Sequence, residues 1–171
     1  VGQGLAVVAQ TRNHALVYDA GPSFGPQADS GVRTVVPYLR AAGVRELTGM
    51  VITYADNDHS GGANSVMQAI PPQWLLTSIA PDHPLIARAS SVNRCDAGDR
   101  WTWDEVDFEL LHPAAENYAR EKFRGNDRSC VLRITSGAVS VLLAADVEQK
   151  SEREMLMSVP DKLRAQVLLV P

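Results

Sequence analysis

Apolar residues fall in short, separated blocks along this chain, and the spacing inside each block predicts its element. Residues 4–10 and 14–18 are two apolar runs with Thr11-Arg12-Asn13 between them, which reads as a β-hairpin. Asp19-Ala20-Gly21-Pro22 stops the second strand, and residues 23–31, rich in Gly, Pro and Ser, read as a loop. Val32, Val35, Val36 and Leu39 recur at helical spacing, which predicts a helix over 32–42 closed by Gly43. In residues 47–53 the adjacent Met50, Val51 and Ile52 mark a strand buried on both faces. A polar loop follows, then a helix over 62–70 stopped by Pro71-Pro72, then a strand over 74–77. That order of strands and helices predicts an α/β layered domain.

The second half has another character. Residues 101–103, 106–112, 131–135 and 139–144 are short apolar runs separated by turn residues, which predicts largely antiparallel pairing. A helix is expected over 147–157, directly after Ala145-Asp146, and a last apolar strand over 166–170. A domain that stops on a buried strand lacks its cover. Residues 1–171 are therefore read as a single domain, truncated after the last strand.

Composition narrows the classes without choosing among them. A chain of 171 residues holds one domain with a proper core, and 45% hydrophobic with 21% charged residues excludes a disordered tail. No apolar run approaches the roughly 20 residues of a membrane helix, and no signal peptide opens the chain. A formal charge of −4 leaves no basic footprint for nucleic acid. It still permits a DNA-cutting enzyme, whose bound cations supply positive charge. Cys95 and Cys130 match no zinc-ribbon spacing. They are either a free buried pair or a disulfide, which would close a long loop, add roughly 3–4 kcal/mol and imply an oxidising compartment.

Candidate chemistry concentrates in residues 53–62. Asp56, Asp58 and His59 lie within four residues, between a buried strand and a helix start, so one tight loop can aim all three at one point. Carboxylate with imidazole suits Zn²⁺ or Mn²⁺. Ser60-Gly61-Gly62 lets the backbone turn into a helix without side-chain crowding. The competing reading is an acidic N-terminal cap; a histidine beside two aspartates, followed by two glycines, favours metal. Asp146 ends an apolar run and opens the next helix, as a ligand at the same sheet edge or as a cap. Asn126 and Ser129 flank a strand start, as ligand-binding groups or turn residues. His112 ends a strand, as a ligand or a satisfied edge histidine. Asp19 either buttresses the metal loop or ends a hairpin. Trp74, Trp101 and Trp103 read as core or sheet-face residues rather than base-stacking platforms.

Together these segments resemble the metallo-β-lactamase superfamily, and within it the C-terminal domain of ComEC-type DNA-uptake (competence) proteins. The resemblance is carried, in order, by Val1-Gly2-Gln3-Gly4, Val17-Tyr18-Asp19-Ala20-Gly21, Val36-Pro37-Tyr38-Leu39, residues 53–62, Leu111-His112-Pro113, Asn126-Asp127-Arg128-Ser129-Cys130-Val131-Leu132, Ala144-Ala145-Asp146 and Leu168-Leu169-Val170-Pro171. It implies an αββα sandwich with one or two divalent ions, Zn or Mn, held at one edge of its two sheets. Carried over by position, Asp56, Asp58, His59 and Asp146 are the metal ligands or their neighbours. Asp58 and His59 form the catalytic pair around one ion, and Asp146 bridges toward a second. Tyr54, Asn126, Ser129 and Asp19 are site-lining candidates. Cys95 and Cys130 resemble the cysteine pair of proteobacterial members, which favours the disulfide.

The resemblance implies a nuclease that degrades the DNA strand not imported. Its expected place is the periplasmic face of the bacterial inner membrane, beside a channel formed elsewhere in the parent protein. Two departures stand against it. Tyr54 occupies the position where the family loop usually begins with a histidine, and the family's histidine pair would follow Pro171. A small-molecule metallohydrolase of the same fold and a non-catalytic docking module with a decayed site are the other readings.

Overall fold

A computed structural model describes residues 3–120, 123 and 125–169. The expectations that involve Val1, Gly2, Val170 and Pro171 lie outside these residues. The chain divides into two compact units, Val1–Arg94 and Cys95–Pro171.

The first unit is built on a sheet of five strands, β1 (Val7–Gln10), β2 (Ala15–Tyr18), β5 (Leu47–Ile52), β6 (Pro72–Thr77) and β7 (Val92–Arg94), in the order β1-β2-β5-β6-β7. β1 and β2 form the expected antiparallel hairpin, and β5, β6 and β7 continue it in parallel. Parallel neighbours need crossovers, and the intervening chain supplies them as helices. These are α1 (Val36–Ala41), α2 (Asn57–Ser60) and α3 (Ala63–Ala69). Ala15, Val17, Met50, Ile52 and Leu75 of the strands share one core with Val36 and Leu39 of α1 and Val66 and Met67 of α3. Every residue of β2 is buried, and so is β5 apart from Thr48, which explains their near-continuous apolar runs.

Three local expectations for this unit change. Residues 23–31 are not a plain loop: β3 (Ser23–Gly25) and β4 (Ala28–Asp29) pair as a small antiparallel hairpin. The helix expected over 32–42 opens with a π-turn at Gly31–Val35 before α1 begins. Gly43 closes it at φ +77, as its position predicts. β7 adds a strand that apolar periodicity did not reveal, because two of its three residues, Asn93 and Arg94, are polar and exposed.

The second unit is a sheet in the order β12-β11-β10-β9-β8. Its strands are β8 (Arg100–Trp103), β9 (Val106–His112), β10 (Val131–Ser136), β11 (Val139–Leu143) and β12 (Val167–Leu169). Sequential antiparallel pairs join β8 to β11, and β12 lies parallel to β11. Helix α4 (Gln149–Ser158) packs Met155 against Leu111, Val131 and Leu142. Trp101 stacks on Phe108 with ring centroids 5.1 Å apart, and Trp103 meets the same ring edge-on, so both indoles lie on the sheet face.

Two expectations are corrected here. The helix expected from 147 starts at Gln149, because Ala145, with φ +49, and Asp146 form a turn that first redirects the chain. The strand expected to be buried at 166–170 is an edge strand, with Val167 and Leu168 51% and 54% exposed. Among the described residues it pairs with β11 alone, in parallel.

Cys95 and Cys130 are joined by a disulfide that closes 35 residues within the second unit. A closure of that length restricts the unfolded chain by about 3–4 kcal/mol. Cys130→Ser is expected to lower the unfolding free energy by about that amount, measured as a shift of the urea midpoint under oxidising conditions. An unchanged midpoint would show that the bridge contributes no stability.

Candidate metal centre

In the first unit the candidate loop leaves the C-terminal end of β5 and meets Asp19 at the C-terminal end of β2. The strands are parallel neighbours, with Leu16 opposite Gly49 and Tyr18 opposite Val51, so both ends reach one edge of the sheet. Asp19 is fully buried at φ +56, a left-handed conformation rare for a residue with a Cβ. Its backbone N–H donates to the Val51 carbonyl at 2.8 Å, which holds the chain in that turn.

The Asp19 carboxylate accepts three hydrogen bonds. Thr53 donates its backbone N–H to Oδ1 and its hydroxyl to Oδ2, both at 2.8 Å. His59 donates Nδ1–H to Oδ2 at 2.7 Å. Burial pushes the Asp19 carboxyl above its ordinary range, and the bonds from His59 and Thr53 pull it back toward ionisation. With its proton on Nδ1, His59 presents the lone pair of Nε2, 3.8 Å from Oδ2 of Asp58. Histidine metal ligands are oriented by the same kind of carboxylate contact. The Tyr54 ring, buried, lies 4.5 Å from the His59 ring.

The loop is fixed mainly by its backbone. The Asp58 carbonyl accepts from Leu5 N–H at 3.0 Å, and the His59 carbonyl accepts from Ala20 N–H at 2.8 Å. Asp56 opens α2 through its carbonyl, which accepts from the N–H groups of His59 and Ser60, while its own side chain makes no capping bond. Asp56 is exposed, and its side chain has no described contact with Asp19 or with the His59 ring. Gly61 and Gly62 have ordinary helical backbone angles, φ −58 and −88, so a sharp turn is not their role. A Cβ on Gly61 would fall 2.2 Å from Ser23 N, and one on Gly62 would fall 2.3 Å from the Ala20 carbonyl. Close approach of backbones is what excludes larger residues there.

The second unit places the remaining candidates. Asp146 is half-buried in the turn after β11. Asn126 sits in a 3-10 turn, Gly125–Arg128, and donates to Glu148 Oε1 at 3.3 Å. Ser129 is fully buried, and its hydroxyl has no hydrogen-bond partner among the described residues. His112 is also buried: Nδ1 donates to the Ser129 carbonyl at 3.1 Å, and Nε2 accepts from Asn117 Nδ2 at 3.3 Å. Its ring nitrogens are satisfied within the protein. Asn117 also donates to Glu154, which pairs with Arg120 at 3.1 Å. Asp127 holds α4 through Lys150 and Ser151. Sequence reasoning gave no role to Asn57, Thr53, Asn117, Asp127 or Glu154, whose partners named above stand 5 to 37 positions away and leave no local periodic signal.

The comparisons with known proteins agree with this layout. The model of the metallo-beta-lactamase superfamily matches residues 1–166. The competence protein ComA of Neisseria gonorrhoeae is 35% identical over 169 residues, which cover 99% of this chain and 22% of that protein. Recombination protein 2 of Haemophilus influenzae is 33% identical over 155 residues, covering 90% of this chain and 18% of that protein. The chain thus spans about a fifth of the length of these curated relatives. Among solved structures, a Cronobacter sakazakii metallo-beta-lactamase with a HARLDQ motif has a TM-score of 0.66 at 12% identity, over 96% of this chain and 70% of that one. The metallo-beta-lactamase SMB-1 bound to 2-mercaptoethanesulfonate has a TM-score of 0.65 at 14% identity, over 99% and 73%. At such identities the likeness shows the fold, which is the metallo-beta-lactamase fold.

Burial lowers the His112 pKa from its ordinary 6.5, against the raising effects of the Ser129 carbonyl, Glu154 and Asp127. The unfolded chain therefore takes up a proton before the folded one does. The resulting stability is present above 6.5 and is lost as pH falls from there toward the folded pKa. Between about pH 7.5 and about pH 5.5 the protein is expected to lose stability in urea titrations. His112→Gln is expected to lose less over that range, and an equal loss in both proteins would assign the acid sensitivity elsewhere.

Proposed function

The chain belongs to the metallo-beta-lactamase superfamily, and from that premise we propose that it is a metal-dependent hydrolase domain of a DNA-uptake protein. In this reading its substrate is a DNA phosphodiester, and it degrades the strand that is not imported. The observation that carries the metal assignment is the buried Asp19–His59 pair. It fixes the imidazole tautomer so that Nε2 and the Asp58 carboxylate stand 3.8 Å apart as ready donors. One imidazole nitrogen and a carboxylate oxygen fit the borderline and hard divalent cations that the superfamily binds.

Asp58 and His59 are assigned to hold one cation. Asp146 and Asp56 enter as further ligands from the order of the family's motifs in the sequence. When bound, such a cation acidifies water and stabilises charge on the oxygens of a phosphodiester under attack. The chain's own residues do the positioning. Asp19 keeps the proton on Nδ1 of His59, and Thr53 donates twice to Asp19, which opposes the upward push of burial on its carboxyl. The Leu5 and Ala20 N–H groups hold the loop backbone in place. The DNA context is supported by the competence and recombination proteins that the chain resembles over 90% or more of its length. The Cys95–Cys130 disulfide supports an oxidising compartment, as the periplasmic face of the inner membrane provides. No helix among the described residues is long and apolar enough to cross a membrane.

Tyr54 favours a second reading, a docking module without turnover. A neutral phenol beside His59 is a poor ligand where the resemblance expects a histidine.

DNA degradation with Mn²⁺ or Zn²⁺ is expected for the protein and is expected to be abolished by Asp58→Ala. No cutting by the folded, metal-loaded protein would remove the nuclease reading and leave a small-molecule metallohydrolase and the docking module to be separated. Asp19→Ala is expected to weaken Zn²⁺ binding about 10–100-fold by calorimetry; unchanged affinity would show that Asp19 does not orient a ligand.

A further inference from the structure

The β3–β4 hairpin holds an aromatic ring in solvent next to the candidate metal loop. Phe24, in the middle of β3, is 61% exposed and takes no part in the core. The strand that carries it is nonetheless tightly anchored. Ser23 N–H donates to Asn57 Oδ1 at 3.1 Å, and the Ser23 carbonyl accepts from Asn57 Nδ2 at 3.0 Å. Asn57 opens α2 and immediately precedes Asp58. At the other end of the hairpin, Asp29 accepts from Val32 N–H at 2.9 Å and from the Ser65 hydroxyl of α3 at 2.6 Å. Ser30 N–H closes its base on the Pro22 carbonyl at 2.8 Å. None of these bonds uses the Phe24 ring.

Among the described residues, one side chain attends that ring. The Arg33 guanidinium carbon lies 5.6 Å from the Phe24 centroid. Arg33 is exposed and makes no ion pair among the described residues. An exposed aromatic face with a cation beside it matches an unpaired nucleobase and its phosphate: the base stacks on the ring and the guanidinium meets the anion. In a duplex those base faces are already stacked on neighbours. A chain of net charge −4 has no broad basic field, so stacking supplemented by one cation is the means available to it.

We propose that Phe24 and Arg33 form a base-stacking subsite that holds single-stranded DNA beside the metal loop; this deepens, and rests on, the nuclease reading. The anchoring through Asn57 ties the position of the stacked base to that of Asp58 and His59.

The test is fluorescence anisotropy of a labelled oligothymidylate titrated with metal-free protein. Phe24→Ala is expected to weaken binding roughly 5–150-fold, the span of one base–aromatic stack, and Phe24→Trp is expected to keep it. Arg33→Ala is expected to reduce the salt dependence by about 0.7 in log–log slope. A duplex of equal length is expected to bind more weakly and to be indifferent to Phe24→Ala. Equal binding by Phe24→Ala and the parent protein would overturn the subsite, and so would absence of binding by the folded parent protein. Loss of binding in Phe24→Ala with no cutting by any variant would retain the subsite and remove the nuclease reading. Metal-dependent cutting by the parent protein, with binding unchanged in Phe24→Ala, would do the reverse.

Discussion

A carboxylate with no access to water organises the candidate site. Asp19 is fully buried, which raises its pKa, and three donors converge on its carboxylate to oppose that shift, two from Thr53 and one from His59. Removing one partner would leave a buried polar group without its hydrogen bond, which costs about 1–3 kcal/mol or more. The constraint runs backwards into the fold. Asp19 reaches Thr53 and His59 because β2 and β5 run parallel and end at the same edge, and because the chain accepts a left-handed residue immediately after β2. Such backbone strain persists where the surroundings over-determine it, and here the Val51 carbonyl and Thr53 do so.

The sequence made some of this legible. Apolar runs marked β2, β5 and the buried Leu75-Leu76 part of β6, because segments buried on both faces carry no polar alternation to confuse the reading. The loop at 53–62 was visible from residue type alone, since histidine beside two aspartates and two glycines is a rare local combination. Asp19 was left open between buttress and strand end. Its partners lie 34 and 40 residues away, and only the register of β2 on β5 decides between the readings. The same blindness hid Asn57, whose side chain serves a hairpin 34 residues earlier, and Asn117, which bridges His112 to α4.

Where local periodicity misled, a turn or an edge was responsible. Ala145 at φ +49 delays α4 to Gln149, although Val147 fits the helical pattern. Val167 and Leu168 look like core residues in sequence but lie on an edge strand with one partner. The glycines after Ser60 were expected to permit a sharp turn, whereas the structure uses them to admit the backbones of Ala20 and Ser23. Residue identity was informative at all these positions. The reason behind it lay in distant parts of the chain.

The backbone packing around Gly61 and Gly62 divides the neighbourhood into positions of very different evolvability. A single added methyl group at either glycine meets main-chain atoms within 2.3 Å, so substitutions there force the hairpin and the loop apart together. Phe24, on the outer side of the same anchored hairpin, and Arg33, in the π-turn that follows it, meet solvent and can be varied with little strain. Random diversification of this protein would therefore be silent or lethal at the inner positions and graded at the outer ones. New ligand preferences would accumulate on the hairpin surface while the Asp19–His59 pair beneath stayed unchanged.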